Sequence, residues 1–146
     1  MKRSACAATL LTLAALALAA CSAEPAEPVA FAEVCAAGTD KKTVVTEGYL
    51  RPGVSIMCSN TGGGPVTCGL SLFDPQGGER KISAYVEQGT GASEVEKPAS
   101  GYKQGDLKLR ADDGSLVGPQ DRLRVTGRVT NGNNVCFLNV SKIEKQ

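Results

Sequence analysis

The side chains that carry most acid–base and nucleophilic chemistry are thinly represented in this chain. It has no histidine, so no side chain with an ordinary pKa near neutrality is present to act as a general base. Ser71, Ser83 and Ser141 fall in alternating, strand-like stretches without an activating neighbour. Asp112 and Asp113 form a carboxylate pair, but adjacent residues of an extended segment point to opposite sides, and Asp-Asp-Gly is a turn sequence. The pair also lacks the string of oxygen ligands that a calcium loop needs. Catalysis is therefore not expected, and neither is a cofactor or a metal. What remains is binding chemistry. Arg122, Arg124 and Arg128 share one face of an alternating run, and guanidinium groups grip phosphates and carboxylates. Phe73, Tyr85 and Lys81 lie in two further runs, where aromatic faces beside a cation could stack on bases.

Cysteine is the other reactive type, and there are six. Cys21 closes the stretch ALALAAC. Lys2 and Arg3 precede an apolar run from Ala5 to Ala20, broken only by Cys6, Thr9 and Thr12. That is the layout of a secretory signal peptide over residues 1–20, slightly short for a membrane span of roughly 20 residues. The alternative is an uncleaved N-terminal anchor helix. Leu18-Ala19-Ala20-Cys21 resembles the bacterial lipobox. The resemblance implies that the Cys21 thiol receives a diacylglycerol and that cleavage leaves it as the acylated first residue. A lipoprotein of this kind is held to the membrane by palmitate-class acyl chains, each buried CH₂ contributing about 0.8 kcal/mol. Ser22 follows where an aspartate would favour inner-membrane retention. The expected location is therefore the bacterial cell envelope, on the outer membrane facing the periplasm. Residues 21–34 carry two Glu-Pro pairs and read as a flexible tether. A short amphipathic helix from Val29 to Ala37, with Phe31 and Val34 on one side, is the competing reading.

Export changes the accounts. Loss of Lys2 and Arg3 turns the formal charge of +1 into about −1, which argues against a dedicated polyanion binder. It also puts Cys35, Cys58, Cys68 and Cys136 in an oxidising compartment, where two disulfides are expected. Four cysteines allow three pairings. The preferred one is Cys58–Cys68, closing the glycine-rich loop SNTGGGPVT, with Cys35–Cys136 stapling the start of the domain to its last strand. A zinc site is the competing use, disfavoured by the missing close-spaced pairs and the absence of histidine. A thioredoxin-like redox site would need Cys-x-x-Cys, which is absent.

The elements that must position these residues alternate with a period of two. KKTVVTEGYL (Lys41 to Leu50) and GVSIMC (Gly53 to Cys58) read as one strand interrupted at Arg51-Pro52. CGLSLFD (Cys68 to Asp74) and RKISAYVEQG (Arg80 to Gly89) follow, the latter placing Ile82, Ala84 and Val86 on one face. Residues 90–105 lack a sustained period. DLKLRADDGSLVG reads as a small hairpin around Asp113-Gly114. DRLRVTGRVT (Asp121 to Thr130) and VCFLNVSKIE (Val135 to Glu144) complete the set. Five main strands with one insertion between the third and fourth predict a small closed barrel over residues 35–146. Gly48 and Gly127 sit inside strands, where a close crossing would account for them.

VVTEGYL, CGLSLFD with ISAYV, and LRVTGRV followed by VCFLNVSKIE are similar in order and spacing to the OB fold (oligonucleotide/oligosaccharide binding). The resemblance implies an all-β, five-stranded barrel whose ligand face lies over the second and third strands, where Phe73, Lys81 and Tyr85 fall. Arg122, Arg124 and Arg128 either contact an acidic partner or solvate the outer face, paired with Glu87, Asp106 or Glu144. The expected function is a non-enzymatic, membrane-tethered binding or interaction module of the envelope. A structural accessory subunit of an envelope assembly, and a weak binder of nucleic acid or an acidic glycan, are the alternatives. Besides the membrane itself, the expected partner is an envelope protein or an acidic glycan. Few aromatics and an export signal argue against nucleic acid.

Overall fold

The computed structural model describes residues 25–53, 58–60, 62–89 and 91–146. The signal peptide over 1–20, the lipid site at Cys21 and the continuation of the first strand through 54–57 lie outside the described residues. In chain order the strands are β1 (Glu27–Pro28), β2 (Thr43–Pro52), β3 (Cys58–Ser59), β4 (Thr67–Phe73), β5 (Lys81–Glu87), β6 (Glu94–Val95), β7 (Leu109–Arg110), β8 (Leu116–Val117), β9 (Leu123–Gly132) and β10 (Val135–Lys145).

Five of these close a barrel. β2 pairs antiparallel with β9, and β9 with β10. β10 pairs with β5 in parallel, and β5 antiparallel with β4. β4 returns to the far half of β2, from Tyr49↔Phe73 to Pro52↔Leu70. Numbering only these five, the ring runs 1-2-3-5-4-1 with its parallel contact between the third and fifth. The expected all-β, OB-like architecture is therefore present. Closure removes the open edges of a flat sheet except along the near half of β2, which β4 does not reach.

Alternation decides what fills the interior. Val44 and Leu50 of β2, Leu70 and Leu72 of β4, Ile82, Ala84 and Val86 of β5, Leu123, Val125 and Val129 of β9, and Leu138 of β10 are buried together. A register shift between Val140 and Lys142 interrupts β10. It lets Ile143 point inward three residues after Val140, where strict alternation would turn it out. Gly48 and Gly127 mark the tightest approaches. A Cβ at Gly48 would lie 2.6 Å from the Phe73 carbonyl oxygen, and one at Gly127 would lie 2.5 Å from that of Asn139.

The insertion between β5 and β9 forms its own three-stranded sheet, in the order β6-β7-β8. The hairpin expected at Asp113-Gly114 is the β7–β8 turn, with Gly114 at φ 80°. Val95, Leu109 and Ala111 are buried with the barrel core. The Asp112 N–H donates to the Ile143 carbonyl at 2.7 Å, and the Ile143 N–H donates to Ser93 Oγ at 2.7 Å. The insertion is thus stitched to the last strand.

Both expected disulfides are formed. Cys35–Cys136 joins residues 101 apart in sequence, and Cys58–Cys68 joins residues 10 apart. All four thiols are consumed, which displaces the zinc reading. The tether ends earlier than expected. Pro28 lies beside Val45 in a parallel pairing, and the Val29 N–H donates to the Val45 carbonyl at 2.9 Å. Phe31–Glu33 then form a 3-10 turn, and Val34 is fully buried. The physical reason is that β4 pairs only with the far half of β2, so the near half offers free backbone groups. Glu27 to Val29 pair along that edge, Val29 and Phe31 are partly buried against the core, and Val34 is fully buried. The short helix considered for Val29–Ala37 is two separate 3-10 turns, Phe31–Glu33 and Ala37–Thr39.

Candidate functional site

The six candidate binding residues fall in separate places. Phe73 and Lys81 are cross-strand partners at one end of the β4–β5 pair. The Arg51 guanidinium lies over the Phe73 ring at 5.2 Å and the Tyr49 ring at 5.5 Å. It is held there by its Nε donating to the Pro119 carbonyl at 2.9 Å. Phe73 therefore stacks on a cation of its own chain.

Tyr85 lies further along β5 and is 38% exposed. Its ring meets Phe137 edge-on, with centroids 5.2 Å apart and planes at 89°. Asn139 is its register neighbour on β10, and Arg128 is the register neighbour of Asn139 on β9. Arg128, Asn139 and Tyr85 thus make one row across the outer face. Beside Tyr85 is a shallow depression of about 310 Å³, bordered by Ser59, Gly69, Ser71 and Ser83.

Arg122 and Arg124 belong to a larger concavity on a different side. This groove holds about 630 Å³, within the range typical of small-molecule sites. One wall is the N-terminal segment, through Pro28, Val29, Phe31 and Ala32. The opposite wall is the β4–β5 turn, with Asp74, Pro75, Gln76 and Arg80. Thr46, Glu47, Arg122, Arg124 and Glu144 complete it. Sequence reading misses this site because it assigns residues 28–32 to a tether. The apolar spacing Val29, Phe31, Val34 is the signal that could have revealed it.

The charges in the groove are mostly matched. Arg122 donates from Nε and Nη2 to Glu47 Oε2 at 3.0 and 2.6 Å. Its partner is therefore Glu47, not Glu87, Asp106 or Glu144 as expected, because β2 is the neighbour of β9 at this level. Arg80 Nη2 meets Asp74 Oδ2 at 2.5 Å, although Asp74 is 2% exposed at its side chain. That contact is an ion pair rather than an aligned hydrogen bond. The Gln76 N–H donates to the other Asp74 oxygen at 2.8 Å. Glu144 accepts from Lys142 Nζ at 2.9 Å. That hydrogen bond, then the Glu144 charge, and behind them Asp112, hold the Lys142 pKa above the ordinary lysine value.

Arg124 is different. It sits in register between Glu47 on β2 and Glu144 on β10. Both acids are engaged elsewhere, and among the described residues Arg124 has no carboxylate within ion-pair distance. Thr46 is the second unmatched group. It is 2% exposed, it borders the groove, and its Oγ1 is buried without a hydrogen-bond partner. A buried hydroxyl left unpaired costs about 1–3 kcal/mol.

Comparison with protein-family models, with curated proteins and with solved structures returns no match. The OB-like assignment therefore rests on strand order and register. Among the described residues, no helix is long and apolar enough to cross a membrane, and no three metal-ligating side chains cluster.

Proposed function

We propose that this chain is a non-enzymatic binding module of the bacterial cell envelope, lipid-anchored through Cys21 on the outer membrane and presenting its barrel to the periplasm. One observation carries the reading. The segment from Glu27, six residues after the lipobox-like cysteine, is built into the barrel, and it forms one wall of the groove that contains Arg124. Anchor and groove are then parts of one device. The two disulfides support an oxidising location. The absence of histidine supports a binding rather than a catalytic role.

A second reading, recognition of an acidic glycan, draws on the row Arg128–Asn139–Tyr85 and the Phe137 ring beside it. A photo-activated crosslinker placed at Ala32 in the groove, or at Ser83 on the sheet face, separates the two in living cells. Adducts from Ala32 and none from Ser83 support the groove. The reverse result transfers the function to the sheet face. A stable, stoichiometric protein adduct from both positions would mean a structural subunit of an envelope assembly.

A further inference from the structure

We infer that the groove binds the head group of an anionic phospholipid, with the lipid phosphate on Arg124 and the adjoining apolar part against Pro28, Val29 and Phe31. Two observations carry this. Each carboxylate lining the groove already faces a cation: Glu47 faces Arg122, Asp74 faces Arg80 and Glu144 faces Lys142. That leaves Arg124 as the unmatched charge, and a guanidinium is well suited to a phosphate. The wall formed by the N-terminal segment is apolar, with Phe31 as its aromatic residue, which suits an aliphatic body better than a base or a sugar.

The length of the chain ahead of the groove identifies the source. Six residue steps separate Cys21 from Glu27, and a fully extended chain spans at most about 20 Å over that length. An acylated Cys21 would therefore keep the groove wall within about 20 Å of the bilayer surface. Membrane lipid is the anionic amphiphile most concentrated there. The source of the ligand rests on the tethered reading; the site itself does not.

Calorimetric titration of the full chain in a non-ionic detergent tests the site directly. The titrants are a short-chain phosphatidylglycerol, the matching phosphatidylcholine, and inorganic phosphate. Phosphatidylglycerol is expected to saturate one site, with phosphatidylcholine and phosphate at least about tenfold weaker. Arg124→Gln should weaken phosphatidylglycerol binding by about tenfold or more, as expected for losing a charge-assisted contact. Arg128→Gln, outside the groove, should leave it within about twofold. Unchanged binding in Arg124→Gln, or equal binding of phosphatidylcholine, overturns the proposal. Inorganic phosphate binding as tightly as the lipid would make this a free-anion site instead. None of these outcomes depends on Cys21, so they are separable from failure of the anchor.

Discussion

A methyl group at Gly127 would stand 2.5 Å from the Asn139 carbonyl oxygen and 2.9 Å from Leu138 Cγ. The nearest of these atoms is backbone in a paired strand, so relief requires β9 and β10 to separate. Gly127→Ala should therefore destabilise the fold by about 1–3 kcal/mol, the usual cost of overpacking a core. Gly48→Ala should behave alike, since its Cβ would meet the Phe73 carbonyl oxygen at 2.6 Å. Gly132→Ala, with nothing within 4 Å of its Cβ, is the control. Urea midpoints measure all three, and a Gly127→Ala midpoint equal to that of the control would contradict the close crossing. Both glycines are legible in the sequence, because glycine inside an alternating strand needs a spatial reason. Thr46 is only half legible. Alternation places it inward, but nothing in the linear chain says that its hydroxyl finds no partner.

The five long strands are legible because alternation alone sorts Leu123, Val125 and Val129 from Arg122, Arg124 and Arg128. The bulge in β10 is not, since Val140-Ser141-Lys142-Ile143 has the same composition with or without a slipped register. The N-terminal segment is misread for a more specific reason. Its Glu-Pro pairs signal an unpaired chain, but proline at Pro28 is tolerated on an edge strand, where it need not donate. The free edge of β2 exists only in three dimensions. What secures this segment is the Cys35–Cys136 bond, together with the Asn131 side-chain amide donating to the Cys35 carbonyl at 2.7 Å. The Asn131 N–H also donates to Asp40 Oδ1 at 2.8 Å. Chain entropy predicts that replacing Cys35 and Cys136 together by alanine costs about 4–5 kcal/mol, against about 3 kcal/mol or less for Cys58 and Cys68. Denaturant unfolding of the two double variants checks the order. A larger loss from Cys58 and Cys68 would mean that the segment is held by packing around Val34 rather than by the bond.

At the scale of the whole molecule, the barrel, its insertion and the N-terminal segment make one folded body, with Val34, Val95 and Leu109 sharing the core of the five strands. The segment enters that body at Glu27, six residues after Cys21. An acylated Cys21, as proposed, would leave little slack and would confine the groove near the membrane surface. The source of the ligand inferred for the groove depends on where the barrel is held, and that depends on Cys21. The most direct measurement is intact mass spectrometry and N-terminal peptide mapping of the protein recovered from the outer-membrane fraction of its host. The account predicts a chain beginning at Cys21 and carrying a diacylglyceryl thioether, and a Cys21→Ser variant that loses this modification and its membrane association. A mature chain beginning elsewhere, or an unmodified Cys21 in protein that still fractionates with the membrane, would contradict it.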